Sequence, residues 1–252
     1  MKLRVSLLLL LVFSGGIGYG RGQKESPSAT VINFYRALKA RQYVEGFRHS
    51  VYKAAVEGLT TAELKDLEPD FGQAFSRIPD KLDTQGEQIT GDTATVFLKF
   101  EGITGLQPVA VIRSGGEWLV GDKESLDLVQ AQGRSFFFNT RILVNEREVY
   151  EAMQRIVGAQ VIYSGKFEGR YASMQDLIRL GALSKDYETM MADGYRFELT
   201  IGSDNKSFFS TATPLAYGKT GKLSFFADIN GIRAEDLKGR PAFAGSPVYR
   251  QK

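Results

Sequence analysis

The chain carries one histidine, His49, and no cysteine. Any acid-base chemistry near neutral pH would therefore fall to a single imidazole and the carboxylates. His49 sits in a run of helical spacing, and an apolar pocket there would bring a base toward working pH. No partner for it stands out in the sequence. Phe34, Tyr35, Tyr43, Tyr52, Phe71, Phe75 and Trp118 have the character to line a pocket for a small apolar ligand. At helical spacing such side chains more often form core. The candidate ligand-binding set is Tyr35, Tyr43, His49, Tyr52, Phe75 and Trp118, and no catalytic residue is assigned.

The remaining motifs point away from cofactor chemistry. Gly218-Lys219-Thr220 has the look of the end of a phosphate loop, but Thr213 stands where that motif needs glycine, and a strand rather than a helix is expected to follow. Asp228, Asn230, Glu235 and Asp236 offer oxygen ligands near a hairpin without the regular spacing of a calcium loop. There is no histidine and cysteine cluster for zinc, nor a serine elbow with identifiable triad partners. Asn205-Lys206-Ser207 fits a glycan acceptor, and in a bacterial protein reads as a turn. Neither a cofactor nor a metal is expected.

The elements that would position these residues follow from apolar spacing. Val31, Phe34, Tyr35 and Leu38 predict one helix, capped by Ser28 or Thr30, and Tyr43, Phe47, Val51, Tyr52 and Ala55 predict a second. Thr61 to Ile78 predicts a third, with Thr61 as N-cap and Pro79 as stop. Strands are predicted over Leu82 to Ile89, through Ala94, Val96, Leu98 and Phe100, over Pro108 to Ile112, and through Trp118 to Val120. Asp122 to Gly133 reads as a charged connector, with a short helix as the alternative. The pattern then restarts with a long amphipathic helix through Val149, Met153 and Ile156 and a short one over Met174 to Leu180. Strands follow through Tyr195 to Ile201, Ser207 to Ala212 and Leu223 to Ala227, and Asn230-Gly231 is the strongest hairpin signal. Helix and strand runs in this order predict an α+β class in two domains.

The ends and the charge bound the class further. Lys2 and Arg4, an apolar run from Val5 to Phe13 and then Ser14, Gly15 and Gly16 have the order of a secretory signal. The expected organisation is a signal peptide over 1–20, a flexible leader over 21–27, a first domain over 28–123, a connector over 124–140, a second domain over 141–242 and a tail over 243–252. With Lys2 and Arg4 removed, the 32 basic residues become 30 against 29 acidic ones. Without a dense basic patch, nucleic acid is not an expected partner. No stretch after the signal reaches the roughly 20 apolar residues of a membrane helix, so no stable span is expected.

Two resemblances rest on these residues. Ala159-Gln160, Tyr163, Gly169-Arg170-Tyr171-Ala172, Leu177, Gly181, Gly194-Tyr195-Arg196-Phe197, Ala212-Thr213-Pro214, Gly218, Ser224-Phe225-Phe226-Ala227-Asp228 and Gly231-Ile232-Arg233 resemble the soluble head of bacterial type IV pilin-like proteins. The resemblance implies a helix packed on an antiparallel sheet. Pilins begin with a processed Gly-Phe pair, a glutamate and a long apolar helix, whereas here Phe136, Phe137 and Phe138 are soon followed by Arg141. Assembly into a fibre through that helix is not expected. The run Ala29 to Leu38 together with Gly115-Gly116-Glu117-Trp118-Leu119-Val120 is similar to the nuclear-transport-factor-two-like (SnoaL-like) cone fold, over about residues 27–125. That resemblance implies a curved sheet around a helix, with a pocket that some members use and many do not.

The expectation is a periplasmic or secreted, non-enzymatic interaction or scaffold protein of the bacterial envelope, near a pilus or secretion system. Its expected partner is another envelope protein, received by strand addition on an exposed sheet edge. The alternative is a small apolar ligand, or simple acid-base catalysis, in the pocket of the first domain.

Overall fold

A computed structural model describes residues 25–250. The expected signal peptide and most of the leader lie outside the described residues. The chain is α+β and divides into two compact units, Met1–Phe137 and Phe138–Lys252.

In the first unit, four helices precede a four-stranded meander. Helix α1 spans Pro27–Lys39, and its cap is Ser26, not Ser28 or Thr30. Ser26 accepts from the Ala29 amide while Pro27 takes the first helical position, where its missing N–H costs nothing. The predicted second helix is two short ones, α2 (Tyr43–Arg48) and α3 (Lys53–Glu57). Between them Ser50 bridges to Val120. The Val51 amide donates to the Val120 carbonyl at 3.0 Å, and the Val120 amide to the His49 carbonyl at 2.8 Å. Backbone groups committed to a strand partner cannot also close a helical turn, so the helix breaks there.

Helix α4 (Thr61–Ala74) is capped by Thr60 rather than Thr61, in a reciprocal box with Glu63. Strands β1 (Leu82–Thr90), β2 (Thr93–Phe100), β3 (Gln107–Ser114) and β4 (Glu117–Val120) pair antiparallel in chain order. Helix α1 lies against all four strands. The segment read as a connector contains helix α5 (Lys123–Gln132), opened by Asp122 as cap, and it buries Leu126 and Val129. Leu126 packs with Val51, Ile112 and Leu119, so apolar burial joins α5 to this unit.

The 31-residue helix α6 (Phe136–Lys166) follows. Val149, Ala152, Met153, Ile156 and Ala159 form its buried stripe in the second unit, against Tyr195, Phe197, Ala212, Phe225, Ala227 and Ala234. Helix α7 (Met174–Arg179) precedes strands β5 (Met191–Ala192), β6 (Tyr195–Ile201), β7 (Phe208–Pro214), β8 (Ser224–Asp228) and β9 (Gly231–Glu235), again an antiparallel meander. The last hairpin turns on Ile229-Asn230. Asp228 pairs with Gly231 across it, so the glycine begins β9 instead of forming the turn centre. Among the described residues no helix is long and apolar enough to cross a membrane.

Candidate functional site

Four of the six residues proposed for a pocket belong to one packed aromatic cluster in the first unit. Tyr35 meets the edge of Phe34 at 5.1 Å between ring centroids, Phe34 meets Phe75 at 6.5 Å, and Phe75 meets Phe47 at 5.8 Å. Phe47 in turn touches Tyr52 at 5.9 Å and Phe71 at 5.0 Å, and Phe71 touches Tyr43 at 5.4 Å. These are the edge-to-face and tilted spacings of aromatic core. Burial raises the Tyr35 hydroxyl above its ordinary pKa, and burial followed by the Asp122 charge does the same for Tyr52. Phe137 fills the middle of the cluster, 5.0 Å from Phe47 and 4.9 Å from Phe71. Phe136 closes on Tyr52 at 5.4 Å. Sequence reasoning assigned both to the connector over 124–140. Their only signal was three adjacent phenylalanines.

His49 and Trp118 are not in ring contact with that cluster. His49 ends α2, with Nδ1 3.8 Å from Glu25 and Nε2 3.6 Å from Glu45 on opposite sides of the ring. It faces surface carboxylates rather than an apolar wall. Trp118 is buried beneath the guanidinium of Arg113, 4.2 Å above its ring. A concavity of about 490 Å³ in this unit is open and lined by Arg41, Gln42, Tyr43, Val44, Glu45, Arg48, Leu64 and Glu68, so of the six candidates Tyr43 reaches it.

The second unit holds the more built arrangements. Gln160 is fully buried and its amide closes both ways on Ala172, donating to the carbonyl at 2.7 Å and accepting from the amide at 3.0 Å. Glu146, also buried, accepts from the Lys222 and Leu223 amides at 2.9 Å each, and Asn145 donates to the Thr220 carbonyl. These two α6 side chains pin the loop that contains Gly218-Lys219-Thr220. That segment is a turn, with the Lys219 and Thr220 amides donating to Ala216, and β8 follows it. Burial, and then the charges of Glu151 and Asp193, push the Glu148 carboxyl above the usual range. Burial does the same to Asp193. Asp228 accepts from the Asn230 amide at 2.8 Å, which is the work of a turn former.

The two outer edges of the second sheet are β5 and β9. Strand β5 is two residues long. The β9 edge, which strand addition would need free, is occupied by the segment read as a tail. Val248 bridges antiparallel to Arg233, the Ala234 amide donates to the Pro247 carbonyl, and the Tyr249 amide donates to the Ile232 carbonyl, both at 3.0 Å. Buried Ser246 donates to Glu235 at 2.8 Å, and Arg233 donates to the Ser246 carbonyl at 3.2 Å. The Tyr249 ring lies 5.0 Å from Tyr150 of α6 and 5.4 Å from Phe225 of β8. Its hydroxyl is raised by burial first and by Glu146 next. The backbone around Val248 thus makes an isolated bridge to the β9 edge, held by two main-chain hydrogen bonds and one aromatic anchor.

Comparison of the chain with protein-family models, with curated proteins and with solved structures returns no match.

Proposed function

We propose that this chain is an exported, non-enzymatic interaction or scaffold protein of the bacterial envelope, periplasmic or secreted, that works through the surfaces of its two modules. The resemblances to a cone fold and to a pilin-like head belong to this proposal, with a pilus or secretion system as its setting and another envelope protein as its partner. The observation that carries the reading is the continuous aromatic cluster from Tyr35 to Tyr43, packed around Phe47 and Phe137. Aromatic side chains take up the space that an apolar ligand would need.

The test is recovery of partners from envelope extracts on the immobilised chain and on a version lacking residues 138–252, which keeps Phe136 and Phe137 in the first unit. The expected result is loss of recovery on the shortened chain while its far-ultraviolet circular dichroism keeps the signature of the first unit. Equal recovery on both would remove the second unit from the function. A library of apolar metabolites should leave the melting temperature of the first unit unmoved. A saturable rise of several degrees with one compound would replace the proposal with ligand binding.

A further inference from the structure

We propose that residues 246–250 form an exchangeable strand, and that the β9 edge beneath them is a self-association site whose partner is the same segment of a second copy of this chain. The proposal rests on the reading that the chain acts through protein contacts, and it names the partner of one such contact.

Three observations carry it. The segment has the form of a strand-addition ligand: two main-chain hydrogen bonds to β9, a serine clamped between Arg233 and Glu235, and one ring, Tyr249, set against Tyr150 and Phe225. Pro247, Val248 and Arg250 are exposed, so release uncovers little besides the Tyr249 site and the strand edge. Among the described residues no strand follows β9, and the segment's main-chain bonds to the sheet go to β9 alone, so its release breaks no strand pairing of the sheet.

The connection from Asp236 to Gly245 supplies the hinge. To fold back in the same chain it holds Lys238 at φ 56° and Gly239 at φ 81°, and the first of these is a left-handed backbone that non-glycine residues rarely adopt. Straightened, its ten residues reach roughly 33 Å, enough to deliver the strand to a neighbour. Every contact of the strand is then reproduced in the second copy, and the reciprocal exchange closes as a two-fold dimer. A strand tethered on a short linker competes at an effective concentration in the millimolar range. Exchange therefore belongs to crowded or refolding conditions, and a dilute chain holds its own strand.

The absence of cysteine makes the test direct. Arg233 and Val248 face each other, and the flanking hydrogen bonds make them a narrow, non-bonded antiparallel pair, close enough for a disulfide. Chains bearing Arg233→Cys and chains bearing Val248→Cys, of different tag length, are refolded together at about 1 mM and oxidised. The expected product is a mixed disulfide in at least several-fold excess over either homodimer. A mixture of Arg233→Cys with Arg250→Cys should show no excess. The double variant Arg233→Cys with Val248→Cys, refolded dilute, should close within one chain. If it closes while the mixed product stays at the homodimer level, the strand docks but does not exchange, and this proposal falls while the interaction reading survives. If it does not close, the docking itself is refuted.

Because Arg233→Cys removes the bond to Ser246, the unsubstituted chain is measured in parallel. Refolding at about 1 mM should yield a dimer by light scattering that persists on dilution, and Tyr249→Ala should reduce it several-fold. A strictly monomeric refolded chain overturns the proposal without the cysteine variants.

Discussion

Glu146→Ala gives the sharpest test of how the second unit is held together. One carboxylate oxygen receives two backbone amides, Lys222 and Leu223, at 2.9 Å each, and the side chain is only 9% exposed. A hydrogen bond to a charged acceptor contributes about 1.5–3 kcal/mol, and an abandoned buried donor costs about 1–3 kcal/mol. Lys222 is exposed and Leu223 half-buried, so water satisfies part of what is lost, and the expected cost is about 3 kcal/mol. At about 4–8 °C per kcal/mol for a domain near 100 residues, the transition of the second unit should fall by roughly 15 °C. Glu146→Gln keeps an oxygen at the same place and loses only the charge, so its cost should be about 1 kcal/mol. Thermal unfolding by circular dichroism reads the size of the effect, and hydrogen exchange at the Lys222 and Leu223 amides reads its place. The Gln variant should also bring the Tyr249 hydroxyl back toward its ordinary pKa, because Glu146 is one cause of its rise. An Ala variant within 2 °C of the parent, or a Gln variant as damaged as Ala, would refute the idea that this carboxylate organises the loop.

Gln160→Leu preserves volume but leaves both backbone groups of Ala172 without partners; a loss of about 2–3 kcal/mol and faster exchange at the Ala172 amide are expected. Gly221→Ala would drive a methyl group into the Tyr195 hydroxyl and ring, a clash that should cost about 2 kcal/mol or more in a denaturant titration. Phe137→Ala empties the middle of the aromatic cluster and should lower the stability of the first unit by about 3 kcal/mol, leaving the transition of the second in place. Glu148 and Asp193 have raised carboxyl pKa values, so the folded state holds their protons to higher pH than the unfolded state. Their contribution is present below the ordinary carboxylate range and is lost as pH rises through the raised values. Unfolding followed from pH 4 to pH 8 should therefore show a downward slope for the second unit that Glu148→Gln flattens, and an unchanged slope in that variant would contradict the assignment.

Local pattern made much of the fold legible. The alternation of Tyr195, Phe197, Leu199 and Ile201 gave β6, and the spacing of Val149, Met153 and Ile156 gave the buried stripe of α6, because both signals repeat over several turns or pleats. The failures have one cause in common, a partner distant in the chain. The helix break at 49–52 depends on Val120, some 70 residues away. The packing of Leu126 depends on Val51 and Leu119. The docking of Tyr249 depends on a groove between Tyr150 and Phe225 that exists only once the sheet has formed. The same limit applied to the site. Tyr35, Tyr43, Tyr52 and Phe75 share an aromatic character that the sequence displays, yet Phe136 and Phe137, which complete their cluster, lie some 60 residues beyond Phe75.

Both sheets are pure meanders in which each strand pairs with its neighbours in sequence, and this bears on how quickly the protein forms. Hairpins close short loops, so little chain entropy is lost before each pairing is rewarded, and contacts of low sequence separation fold fast. The first unit is complete at Phe137, which lets it assemble while the rest of the chain is still being delivered, in the order in which domains leave a ribosome. Among its backbone pairings, the bridge from Ser50 to Val120 closes the longest stretch of chain. Until that bridge forms, the outer edge of β4 stands unpaired, and the interval before its closure is when the nascent chain is most exposed to sticking to another like itself.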